Sequence, residues 1–214
     1  MKKQQTSINQ EVLLLCERTD IAQFLHVYIR HLFKQGVAMN NVQIINFNGM
    51  GRLPALLKRL ENMGGADKVR KALIIADSED NIRSKSQRIG SVIRHSFLVE
   101  LEYCQHYFFP GRRSSRGWHH GYLEDVLLQV LQQDSSEECG YYNLYNITAD
   151  FLLSVNGCRG REYQLKNESR HMLCSYLSGT DKYAGMRIAE AAQLGAFDLD
   201  NQKFDSLKNY LLML

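Results

Sequence analysis

A chain of 214 residues with 44% apolar and 23% charged side chains has the make-up of an ordinary globular protein and is long enough for one large or two small domains. Its formal net charge of +3 is far from the basic excess of a protein coated for nucleic acid, so any such contact must come from local clusters. The five cysteines, Cys16, Cys104, Cys139, Cys158 and Cys174, are odd in number and lack a CxxC pair, which argues against a disulfide framework or a cysteine zinc site and for reduced, mostly buried thiols.

The opening MKKQQTSINQ has no apolar stretch and no small-residue cleavage site, and no run approaches the roughly 20 apolar residues that cross a bilayer. The expectation is a cytoplasmic protein without a membrane partner. Val12-Leu13-Leu14-Leu15-Cys16 is nearly continuous in apolar character, the pattern of a parallel strand covered on both faces. Ile21, Phe24, Leu25, Tyr28, Leu32 and Phe33 then keep one-face helical spacing, with Thr19 or Asp20 placed to cap the start and Gly36 to end it. Val42 to Phe47 predicts a second strand, followed by the turn Asn48-Gly49-Met50-Gly51. A helix carrying Leu53, Leu56, Leu57, Leu60 and Met63 comes next, stopped by Gly64-Gly65. Ala72 to Ala76 predicts a third strand, and Ile82, Ile89, Val92 and Ile93 a third helix.

Strand and helix alternate throughout this half, which predicts an α/β fold: an open, mainly parallel sheet with helices on both faces and right-handed crossovers. Tyr107-Phe108-Phe109-Pro110 reads as a fourth strand closed by proline, and Leu123, Val126, Leu127, Val130 and Leu131 as a helical stripe. After Gln133 helical spacing dominates, through Leu144 to Val155, Leu165 to Leu177 and Phe204 to Leu211. The expected division is an α/β domain over 1–133 and a mostly helical extension over 134–214.

Ligands of open α/β sheets sit beyond the carboxyl ends of the strands. The first strand runs into Glu17 and Asp20, and the third into Asp77-Ser78-Glu79-Asp80, so these acids are expected on one rim. Carboxylates about 4 Å apart repel by roughly 4 kcal/mol at an effective dielectric near 20, and need protons or a cation. Oxygen ligands without a nearby Cys or His point to a hard ion, Mg²⁺ or Mn²⁺. Helix capping alone also accounts for acids at such places, Asp20, Asp80, Glu124 and Asp125 among them.

Glu17 after the first strand, the Asn48-Gly49-Met50-Gly51 turn after the second and Asp77-Ser78-Glu79 after the third resemble the TOPRIM (topoisomerase-primase) signature of one glutamate followed by an Asp-x-Asp pair. Phe109-Pro110-Gly111, Gly121-Tyr122-Leu123-Glu124-Asp125 and Gly195-Ala196-Phe197-Asp198 are similar to a bacterial TOPRIM-like group related to the overcoming-lysogenization-defect nucleases. In two places the chain departs from that pattern: the second aspartate is Glu79, with Asp80 beside it, and the glycine after the first glutamate is Arg18. The resemblance implies a metal-dependent nuclease acting on DNA or RNA, with Glu17, Asp77 and Glu79 catalytic. It further implies Mg²⁺ or Mn²⁺ held by Glu17, Asp77, Glu79, Asp80 and Glu124. Relatives of this kind carry an ATPase domain. This chain has no Walker lysine and hydroxyl, so the alternative is a non-catalytic nucleotide or nucleic-acid binding module whose ATPase partner is separate.

Arg83 and Lys85 follow the acidic cluster, and Arg112, Arg113, Arg116 and Trp118 crowd a loop ahead of Glu124. Phosphate beside a metal needs such counter-charge, and Trp118 is suited to stack on a base. A solvated loop explains the same residues without a ligand. The adjacent His119 and His120 lack a partner at metal-ligand spacing, and no Ser-His-Asp or Cys-His arrangement is legible.

Overall fold

A computed structural model describes residues 8–37, 39, 41–78, 81–111, 113–114, 117–118, 121–134, 148, 150–155, 157 and 168–214. The first half alternates as its sequence predicts: β1 (Val12–Cys16), α1 (Thr19–Lys34), β2 (Val42–Asn46), α2 (Leu53–Asn62), β3 (Lys71–Ala76), α3 (Ile82–Arg94) and β4 (Tyr103–Phe108). The four strands pair in parallel in the order β2-β1-β3-β4. Every residue of β1 is buried, as is all of β3 after Lys71, because these strands are central and covered on both sides. The edge strands β2 and β4 are mostly half-buried.

Strand pleating sends alternate side chains to opposite faces. Leu13, Leu15, Ala72 and Ile74 join Leu53, Leu56, Leu57 and Leu60 of α2 and Ile89 of α3 in one core cluster. Helix α1, which packs beside β1 and β2, contributes nothing to that cluster and covers the other face. The chain therefore leaves β1 and β3 toward opposite edges of the sheet, with helices on opposite faces, which makes the crevice between those two strands the topological switch point. Register aligns their ends: Cys16 lies opposite both Asn46 and Ile75.

By packing the chain forms two compact units, one taking in the chain up to Phe109 together with Asp205–Leu214, the other running from Pro110 to Phe204. The second unit contains a short antiparallel pair, β5 (Arg113–Ser114) and β6 (Gly117–Trp118), and helices α4 (Leu123–Asp134), α5 (Glu168–Ser178) and α6 (Ile188–Gln193). Asp125, fully buried in the first turn of α4, accepts from the Tyr122 backbone N–H at 2.9 Å and from the Ser169 hydroxyl of α5. Its role is thus helix capping and helix pairing.

The last helix, α7 (Asp205–Leu212), belongs to the sheet unit. Its Tyr210 ring meets Tyr107 of β4 edge-on at 5.3 Å, and beyond it the Met213 carbonyl accepts from Lys71 Nζ at 3.2 Å. Among the described residues no helix is long and apolar enough to cross a membrane.

Two local expectations change. The α1 cap position is Arg18, with no side-chain capping bond; Thr19 Oγ1 instead accepts from Asn46 Nδ2 at 2.7 Å, tying α1 to the end of β2. The fourth strand starts at Tyr103, four residues before the apolar run that predicts it, because an edge strand tolerates polar Gln105 and His106.

Candidate functional site

Glu17 is held at the end of β1 by both neighbouring strands. Its backbone N–H donates to the Ile75 carbonyl of β3 at 3.0 Å, and its carbonyl accepts from the Gly49 N–H after β2 at 2.9 Å. The turn delivering that N–H needs Asn48 at φ 56° and Gly49 at φ 98°. Asn48 suits the first angle because its side-chain oxygen accepts from Asn46 Nδ2 at 2.8 Å, and Gly49 the second because it has no Cβ. With its backbone so placed, the Glu17 side chain reaches across the end of β3, and Oε2 accepts from the Asp77 backbone N–H at 3.1 Å. The expected meeting of the two rim segments therefore occurs at the switch point.

Glu17 and Asp77 are 5% and 1% exposed, and each acid faces a cation. Lys85, in the first turn of α3 and itself buried, donates from Nζ to Glu17 Oε2 at 2.8 Å. Arg18 lies with Nη1 3.2 Å from Asp77 Oδ2 and Nη2 3.6 Å from Asp20 Oδ2. Among the described residues, two cations here face three carboxylates. Hydrogen bonds between ionised partners are short and strong, and they offset part of the cost of removing these charges from water.

Of the residues the sequence singles out, Glu17, Asp77 and Lys85 come together, and Asp20 joins them through Arg18. Glu79 and Asp80 lie outside the described residues, as do Arg112, Arg116, His119 and His120. Arg113 and Trp118 are placed by backbone alone in the β5–β6 pair. Glu124 is fully buried in the first turn of α4, in the other unit. Arg83 is exposed on α3. Lys85, expected at a phosphate, instead contacts Glu17. A hard cation finds suitable donors in the Glu17 and Asp77 carboxylates, since Mg²⁺ needs only one or two of them and keeps several waters. Among the described residues no three His, Cys, Asp or Glu side chains converge on one point, so any third protein ligand must come from elsewhere in the Asp77–Asp80 segment or beyond.

A second pair escapes sequence reasoning. The Ser86 hydroxyl lies 2.9 Å from His106 Nε2, linking α3 to β4. Burial pushes His106 below its ordinary pKa, so the imidazole is neutral at pH 7. No spacing rule connects residues 20 apart on a helix and an edge strand.

Cys16, next to Glu17, is sealed in the sheet, and burial drives its thiol far above the usual range. Half-buried Cys104 is pushed up to about 11, whereas Cys174 is exposed. At pH 8 a thiol of pKa near 11 is only about 10⁻³ thiolate. Among the described cysteines, peptide mapping after iodoacetamide treatment at that pH should find Cys174 modified first, Cys104 slowly and Cys16 only on unfolding. Early alkylation of Cys16 would show that the end of β1 opens.

Comparison with family models, curated proteins and solved structures finds no match to this chain. What fold and site define is an open, doubly wound α/β protein with a buried pair of acids, each facing a cation, at its switch point.

Proposed function

We propose that the chain is a TOPRIM-like protein that cleaves phosphodiester bonds of DNA or RNA with Mg²⁺ or Mn²⁺. The observation carrying this reading is the junction of Glu17 and Asp77 at the switch point, where the Asp77 N–H meets Glu17 Oε2 at 3.1 Å. Glu17 and Asp77 would hold the ion, with Glu79 or Asp80 from the same segment as a further expected ligand. A bound ion of this kind polarises the phosphodiester and eases deprotonation of water. In the resting chain Lys85 faces the Glu17 carboxylate and Arg18 that of Asp77.

The test is cleavage of end-labelled oligonucleotides in MgCl₂, in MnCl₂ and in EDTA. Loss of several kcal/mol of transition-state stabilisation corresponds to rates lower by about 10²- to 10³-fold, the fall expected for Glu17→Gln and for Asp77→Asn. Equal rates in wild type and both variants would exclude the reading.

A second reading is favoured by the counter-cations themselves, 2.8 Å from Glu17 and 3.2 Å from Asp77. Carboxylates already engaged by cations suit a module that binds a nucleotide or nucleic acid without cutting it and works beside a separate ATPase. Binding that persists in EDTA, with no turnover in either metal, would select it.

A further inference from the structure

We infer that the outward ridge of α3, with Lys58 of α2 beside it, is a docking surface for the phosphate backbone of duplex DNA. Over its 13 residues α3 carries Arg83, Lys85, Arg88 and Arg94 and no acid. A solvated helix usually sets its cations against acids three or four positions away; between Ile82 and Arg94 there is none, the nearest in sequence being Asp80, three positions before Arg83. Lys85 turns inward to Glu17. Arg83, Arg88 and Arg94 are exposed, and among the described residues no ion pair engages them.

Their spacing places them on a continuous track. Arg83, Gln87, Gly90 and Arg94 repeat at helical intervals along one line, and Gly90 leaves that line bare between the two arginines. Arg88 lies toward α2, across a cleft of about 460 Å³ that brings Lys58, Ser91 and His95 together with a single acid, Glu61. Beside the track Arg88 Nη2 is 4.0 Å from where a Cβ on Gly51 would stand. Gly51 belongs to the turn whose Gly49 N–H binds the Glu17 carbonyl. The start of α3 is tied to the acid cluster through Lys85, two residues after Arg83.

From Arg83 to Arg94 the helix rises about 16 Å, the length of roughly five base pairs of B-form duplex at 3.4 Å each. Residues 51–62 and 81–96 contain no Phe, Tyr or Trp, so the surface lacks the stacking platform that single strands use. The exposed face of a helix can lie along the major groove of B-form DNA, about 12 Å wide, but not in the deep, narrow groove of A-form RNA. Charge, length and shape together select duplex DNA.

This surface rests on reading the Glu17 and Asp77 rim as a nucleic-acid site, and binding in EDTA separates the two claims. The experiment follows fluorescence anisotropy of a labelled 20-base-pair DNA duplex over a salt series. It compares wild type with Arg83→Gln/Arg88→Gln/Arg94→Gln and with Arg30→Gln/Lys34→Gln on α1, both sites exposed; thermal unfolding confirms that each variant folds. Each lost phosphate contact lowers the slope of log affinity against log salt by about 0.9, so the α3 variant should lose between 2 and 3 from the slope and about a hundredfold in affinity at 0.15 M salt. The α1 variant should bind like wild type. An unchanged slope in the α3 variant, absence of duplex binding by wild type, or tighter binding of a 20-mer single strand or an RNA duplex would overturn the proposal. Binding lost with the α3 arginines but no cleavage in Mg²⁺ upholds the surface and overturns the cleavage reading.

Discussion

Lys85→Met should lower the stability of the chain by about 3–5 kcal/mol, because it strands a buried carboxylate. Lys85 Nζ sits 2.8 Å from Glu17 Oε2, with side chains only 8% and 7% exposed. After the substitution Glu17 keeps the Asp77 N–H, at 3.1 Å, but loses the ammonium. The double variant Glu17→Gln/Lys85→Met should recover much of the loss, since replacing both members of a buried pair is often close to neutral. Urea denaturation of the wild type, both single variants and the double variant gives the coupling directly. A loss under about 1 kcal/mol for Lys85→Met would mean that the pair behaves as a solvated surface contact. The same variant probes the metal: where an ammonium has left an acidic pair, Mg²⁺ should raise the melting temperature more than it does in wild type, by mass action on the folded state.

Gly65→Ala should cost about 3–4 kcal/mol, while its neighbour Gly64→Ala costs about 1–2 kcal/mol. Both glycines have positive φ, at 91° and 76°, and an L side chain in that region costs about 1–2 kcal/mol. They differ in surroundings. A Cβ on Gly64 meets nothing within 4 Å, whereas one on Gly65 would stand 2.3 Å from the Ile8 backbone oxygen. The segment at Ile8 must move to admit it. Ile8 is 3% exposed and part of the core cluster with Leu13, Leu57 and Val69, so displacement gives up part of the roughly 1.5–3 kcal/mol its burial contributes. Equal losses for the two variants, read by chemical denaturation, would mean that the Ile8 segment yields freely.

Why some of this was legible and some not follows from the range over which each feature is encoded. Val12 to Cys16 reads correctly to the residue because a strand buried on both faces leaves an uninterrupted apolar run. Helix α6 has no such trace: six residues, mostly Ala, Ile and Glu, are too few to establish a period. The meeting of Glu17 with Asp77 is legible because strand order and the carboxyl-end rule are general properties of such sheets. The Lys85 contact is not, since eight positions beyond Asp77 a lysine reads as one more cation on a helix. Only the depth at which α3 packs, set by Ile89 against the sheet, turns it inward. The Arg18 contact with Asp77 is half legible, as its position beside Glu17 puts a cation at the rim without naming its partner.

The return of Asp205–Leu214 to the sheet unit also governs the order in which the protein can be made. The Tyr103 hydroxyl meets the Met213 sulfur across 110 residues of sequence. At about 5–20 residues per second, translation of that interval takes on the order of ten seconds. Throughout it the nascent β4, with its aromatic Tyr107, lacks the contact with Tyr210 that the last helix supplies.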